Sequence, residues 1–164
     1  MKAGLNPEKA PTTFDEIEKC AKAAVLTGAT KIGFTVAWPS WTLMENMHAW
    51  HDQPFADQDN GFTGLATQLR INGRLGGQIL DLLSRWKDEA IFTYSGRGNK
   101  GDQPIINGEA AIGLASTALV GTLTKTAKFE WSTGNLPRIA GYPVGNSIIG
   151  GASLWVMKGH KSEE

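Results

Sequence analysis

His48 and His51 stand three residues apart, a spacing that lets two imidazoles on one helix face a single ligand. Glu45 and Asp52 lie close enough in sequence to orient a ring or add an oxygen ligand. Such a set could hold a metal ion. It could also move protons, with His48 or His51 as general acid–base and Asp52 as its orienting carboxylate. The spacing is not His-Glu-x-x-His, and the third histidine, His160, is far away in the tail. A catalytic zinc wants three protein ligands. No metal, no cofactor and no catalytic residue is therefore assigned. A small hydrolase using His48 or His51 with Asp52 stays as an alternative.

These histidines sit in WPSWTLMENMHAWHDQPF, residues 38–55. Written as a helix from Trp41 to Asp52, the stretch has two apolar stripes. One is Leu43, Met47 and Trp50. The other is Trp41, Met44, His48 and His51. A helix apolar over so much of its circumference is buried on more than one side or meets a partner. Tryptophan buries a large, stiff surface at interfaces and also stacks on sugars and bases. Trp38, Trp41, Met44, His48 and His51 are accordingly the candidate partner-binding residues.

Gly96-Arg97-Gly98-Asn99-Lys100-Gly101 fits G-x-G-x-x-G after an expected strand. A dinucleotide loop needs a helix opening straight after the glycines and an acid about twenty residues on. Pro104 argues against the first, and no acid lies between Glu109 and Glu130. A surface loop with no phosphate role is expected. No P-loop and no G-x-S-x-G is present. Cys20 is the only cysteine, which excludes an internal disulfide and a cysteine metal cluster.

The elements around these residues follow from periodicity and caps. Thr13-Phe14-Asp15-Glu16 reads as a capping box opening a helix at 13–27, with Gly28 ending it. Ile32, Phe34 and Val36 alternate in a strand over Lys31–Ala37. Leu75, Ile79, Leu82, Leu83 and Trp86 make a helical face at 75–88, and 62–71 reads as a weaker helix, with a hairpin turning at Asn72-Gly73 as the alternative. Ala90–Ser95 reads as a short strand and Glu109–Val120 as a buried helix. The alternation over Thr122–Trp131 reads as a strand. The glycine-rich 132–151 reads as turns and extended pieces, and Ser153–Lys158 as a last strand.

The resulting fold class is α+β: an extended arm at 1–12, a single domain at 13–158 and a polar tail at 159–164. Its sheet is expected to be mixed or mainly antiparallel, with about three helices packed on it. Of the 164 residues, 41% are hydrophobic, an ordinary globular composition, and the net charge is zero. Zero net charge argues against nucleic acid and anionic lipid as partners. The opening MKAGLNPEKAPTT has no apolar run, so no signal peptide is expected. The most apolar stretch, Ala110–Leu123, falls short of the roughly twenty residues of a spanning helix. These readings converge on a non-enzymatic structural or assembly subunit, cytoplasmic or part of a virion or secretion-type assembly. It would self-associate into an oligomer or dock on protein partners. A carbohydrate or nucleotide binding module is the remaining alternative.

Overall fold

The computed structural model describes residues 3–6 and 8–150. The expected strand at 153–158 and the polar tail lie outside those residues. The first helix, Phe14–Leu26, starts as its capping box requires. Thr13 Oγ1 accepts the Glu16 N–H at 3.1 Å. The reciprocal bond shifts by one residue, because the Glu16 carboxylate accepts the Thr12 N–H at 2.7 Å. Gly28, at φ +65°, closes the other end. Its N–H reaches the Val25 carbonyl and the Ala29 N–H reaches that of Ala24, a Schellman cap.

Strand β1 spans Ile32–Val36, β2 Phe92–Thr93 and β3 Ala110–Leu114. They form one sheet in the order β2-β1-β3, and both pairings are parallel. The expected mixed or mainly antiparallel sheet is therefore corrected. Each strand returns through a helical crossover, which brings the next strand in parallel. The alternation in β1 suggested one wet face, yet Gly33, Phe34, Thr35 and Val36 are all buried. The first helix packs on β1, where a Cβ on Gly33 would stand 2.9 Å from that of Ala21. The Arg74–Asp88 helix packs against both, with Trp86 edge-on to Phe34 at 5.4 Å and tilted against Phe14 at 6.1 Å. A central parallel strand has no solvent side.

Three other expectations change. Residues 62–71 form a loop and not a helix. Ala110–Leu114, expected in a helix, is β3, and Ile105 fills the space beside Gly113 where a Cβ would stand. The expected strand over Thr122–Trp131 begins inside a helix, Leu119–Thr126. There Thr124 and Thr126 donate their hydroxyls back to the carbonyls of Val120 and Thr122, so alternate threonines need no strand partner.

Glu18 clamps the two long helices together. Its carboxylate accepts from Arg85 at 2.7 Å, from Lys22 at 2.7 Å and from Trp86 Nε1 at 2.9 Å. The Arg85 hydrogen bonds foremost, then those of Lys22 and Trp86, hold this carboxyl far below the usual carboxylate range, against the opposing effect of burial. A group whose folded pKa is depressed stabilises the fold above its unfolded pKa, near 4.3 for glutamate, and loses that contribution as pH falls. Urea midpoints should therefore fall progressively below about pH 4.3. In Glu18→Gln this acid-side slope should flatten. An unchanged slope would show that other carboxylates carry it.

Candidate functional site

In an open parallel sheet, ligands bind outside the carboxyl ends of the strands, where neighbouring crossovers run to opposite sides. The order β2-β1-β3 makes β1 that point, since the chain leaves it toward β2 and then crosses back to β3. The residues just beyond Val36 and Leu114 are thus where a ligand would sit.

Trp38 comes after β1 almost at once. Its backbone is left-handed, at φ +51° and ψ +56°. For a bulky side chain this is an outlier that the surroundings must enforce. The enforcement is visible. The carbonyl of Trp38 accepts the N–H groups of Trp41 and Thr42, and the Thr42 hydroxyl bonds the Ala37 carbonyl. Pro39–Glu45 then winds as a π-helix, which runs into an α-helical turn at Asn46–Trp50. π-Helical turns are frequent at functional sites.

The indole of Trp38 is fixed from below. Its Nε1 donates to Asn99 Oδ1 at 2.8 Å, and the ring lies over Gly98, whose absent Cβ would stand 3.5 Å from Cζ2. The side chain is still 43% exposed. Gly101 lets the same loop close on β1, since a Cβ there would stand 2.5 Å from the Val36 carbonyl oxygen. This 96–101 loop carries Arg97 and Lys100, both exposed. Burial pushes the Asp102 carboxyl above its ordinary range. The arrangement is a rigid aromatic platform with hydrogen-bonding and charged groups at its border.

The two histidines lie elsewhere. His51 is fully buried. Its Nε2 accepts the Ile139 N–H at 3.1 Å, so the proton belongs on Nδ1, which donates to the Pro143 carbonyl at 3.0 Å. His48 is buried too, with Nδ1 2.7 Å from the Met44 carbonyl. Both nitrogens of His51 thus serve the backbone, and Asp52 is exposed and not bonded to it. Among the described residues, no three His, Cys, Asp or Glu side chains converge as a metal set would.

The second apolar stripe is covered by this chain itself. A strap over 136–150 runs along the helix from Trp41 to His51. Gly145 N–H reaches the Trp50 carbonyl at 2.7 Å, Ile148 N–H reaches Asn46 Oδ1 at 3.1 Å, and Gly150 lies against the Trp41 ring. Leu43 and Met47 point into the core, as expected of the first stripe. Met44 is half-buried beside that core. Of the five candidate partner residues, Trp38 alone stands at the strand ends with a substantially exposed ring. Sequence reasoning missed Asn99 and the closeness of the 96–101 loop to Trp38. The G-x-G-x-x-G spacing was the signal at hand, but it served a close approach to protein and not the dinucleotide loop against which it was tested.

The sheet gathers an aromatic platform and polar loops at its carboxyl ends, where open parallel sheets bind small molecules. Residues 2–164 match the bacterial extracellular solute-binding proteins, and the chain belongs to that family. It is 39% identical over 165 residues to the sn-glycerol-3-phosphate-binding periplasmic protein UgpB of Yersinia pestis, a match covering 99% of this chain and 37% of the relative. The same-named protein of Yersinia enterocolitica is 38% identical over 160 residues, covering 96% of this chain and 36% of the relative. That of Salmonella typhimurium is 36% identical over 165 residues, covering 99% and 37%. The chain therefore spans little more than a third of the length of these relatives.

Family membership corrects the functional expectations. A structural or assembly subunit, a virion part, a self-associating oligomer and a cytoplasmic location all give way to membership of the bacterial extracellular solute-binding proteins. The assembly reading rested on missing catalytic and cofactor motifs, on extended arms and on a helix apolar on two faces, and the strap of the same chain supplies that helix's second cover. The lack of an apolar leader at residue 1 decides nothing about export in a chain that spans a third of its relatives.

Proposed function

We propose that this chain is the part of a solute-binding protein that holds a small polar organic solute against Trp38 at the carboxyl ends of β1 and β3. The carrying observation is the left-handed backbone of Trp38 at the point where the strand order reverses. Strain of this kind is maintained where a side chain must be aimed. An indole held by Asn99 and Gly98 offers a flat apolar face to the C–H surface of a polyol or sugar. The ligand for which the relatives are named, sn-glycerol 3-phosphate, is a polyol with an anionic group, and Arg97 and Lys100 stand on the adjoining loop, which reverses the expectation that this loop has no phosphate role. A polyol phosphate is accordingly the solute class we assign. Of the readings made from sequence, the carbohydrate-type binder comes nearest.

A captured extracellular solute still has to enter the cell. No helix among the described residues is long and apolar enough to cross a membrane. We assign the role of receiving the solute to an ATP-driven membrane transporter.

Calorimetric titration of the protein containing this chain with sn-glycerol 3-phosphate tests the site. Trp38→Ala should weaken binding about tenfold or more, as loss of a central aromatic anchor does. Asn99→Ala, which frees the indole without removing it, should cost less. Equal affinity in the parent and Trp38→Ala would remove Trp38 from the site.

A further inference from the structure

The segment between the Asn46–Trp50 turn and Arg74 carries the most unusual backbone among the described residues. Gln58, Asp59 and Asn60 are consecutive left-handed residues, at φ of +53°, +51° and +56°, followed by Gly61 at +90°. Non-glycine residues visit this region singly, not in runs. Polar staples enforce it. Asp57 accepts the N–H groups of Thr67 and Gln68 at 2.7 and 3.0 Å, and Asn60 Oδ1 accepts those of Phe55 and Ala56 at 2.8 and 2.9 Å. What this rigid loop presents is apolar. Phe62 and Leu65 are each 88% exposed, and Leu69 is 60% exposed. A groove of about 230 Å³ runs beside Phe62, against Phe55, Ala49 and Ile148.

The chain leading into and through this loop carries charge of one sign. From Ile32 to Leu69 the sequence contains no lysine or arginine, whereas Glu45, Asp52, Asp57 and Asp59 all fall there. Glu45 lines the groove itself. Arg70 at the loop's base lies close enough to act on Asp57, whose carboxylate is already engaged inside the loop. Glu45 in the groove and Asp59 in the loop are left beside the apolar tip. The loop joins the exit of β1 to the start of the helix that returns from it, so it belongs to the same end of the sheet as Trp38. Exposed large apolar side chains on a preorganised loop mark an interaction surface, because ordering cost is already met before contact. An acidic rim selects a basic partner and repels an anionic bilayer.

We propose that the 57–69 loop is the surface through which this protein docks on its membrane transporter, with Phe62 and Leu65 entering an apolar cleft rimmed by lysine and arginine. The proposal rests on the solute-binding reading only for the identity of the partner. Its position explains why one end of the sheet carries both functions: the mouth of the solute site must face the membrane protein that receives the solute.

The test uses the whole protein containing this chain and the transporter reconstituted in phosphatidylcholine nanodiscs. Binding is measured by surface capture, and solute affinity by calorimetry on the same samples. The Phe62→Ser/Leu65→Ser double variant should bind the transporter about tenfold or more weakly with its solute affinity unchanged. Asp59→Lys should weaken docking by a smaller factor that shrinks as salt is raised. Equal transporter binding by parent and double variant would overturn the proposal. So would parent binding to empty phosphatidylglycerol nanodiscs that the double variant loses, which assigns the loop to lipid. In a Cys20→Ser background, Leu65→Cys should react with a water-soluble maleimide as fast as a free thiol. Slow labelling would mean that the protein's own remaining chain covers the loop, and the proposal fails. Failure of the solute reading looks different: the parent gives no heat with sn-glycerol 3-phosphate, whatever the docking result.

Discussion

Replacing Trp86 by alanine is expected to lower the stability of this chain by about 3–5 kcal/mol, a large part of the 5–15 kcal/mol that holds a domain folded. Trp86 is fully buried where three elements meet. Its ring lies edge-on to Phe34 of β1 and tilted against Phe14 of the first helix, with centroids 5.4 and 6.1 Å away. Its Nε1 donates to Glu18. Alanine would leave a cavity between both long helices and the central strand, and remove one of the donors that keep the Glu18 carboxylate charged. Trp86→Phe should cost less, because most of the apolar volume stays and chiefly the N–H donor is lost. Denaturant midpoints of the two variants and of Leu26→Ala, a control at an 85% exposed position, measure this. A Trp86→Ala midpoint no lower than that of Leu26→Ala would mean that the helix–sheet junction does not hold the fold together.

His51→Phe should produce the second largest effect, about 2–4 kcal/mol, through a different cause. Phenylalanine fills similar space but offers no polar atom. The Ile139 N–H and the Pro143 carbonyl would both lose their partner. Leaving a buried backbone group unpaired costs about 1–3 kcal/mol. The loss should be local at first. Amide exchange at Ile139 and Gly145 should quicken markedly, while that of Phe34 and Val36 in the central strand stays slow. His51→Asn, which can still reach Pro143 with its amide, should fall between. If exchange in the strap is unchanged in His51→Phe, then Tyr142 on Gln78 and the Asn46–Ile148 bond suffice to hold it.

The first helix, the central strand and the 74–88 helix were all readable in the sequence. Their signals are local. A capping hydroxyl at Thr13, a glycine at position 28 and apolar residues spaced for a helix or a strand act within a few residues of themselves. The inward stripe of Leu43 and Met47 was legible for the same reason. Direction within the sheet was not, because strand alternation is the same in parallel and antiparallel pairs. Only the crossover geometry decides between them. β3 looked like a helix because its paired alanines favour one and its five residues are too few to show a strand's alternation. Its pairing with β1 decided the matter.

The functional site divides along the same line. The sequence by itself determined that residues 38–52 are an unusual concentration of aromatic, sulfur and imidazole side chains needing cover on two sides. It also marked 96–101 as a glycine loop able to lie close to something. Tertiary structure alone decided what each meets. His48 and His51, the most reactive-looking residues, became internal hydrogen-bonding groups, because a strap ninety residues later in the chain brought backbone partners to His51. Trp38 became the exposed platform, because the end of a central parallel strand and a loop sixty residues on meet beneath it. A side chain's chemistry is fixed by its type. Whether that chemistry faces solvent, a ligand or the backbone depends on neighbours distant in sequence, and these are chosen by the order in which the strands assemble.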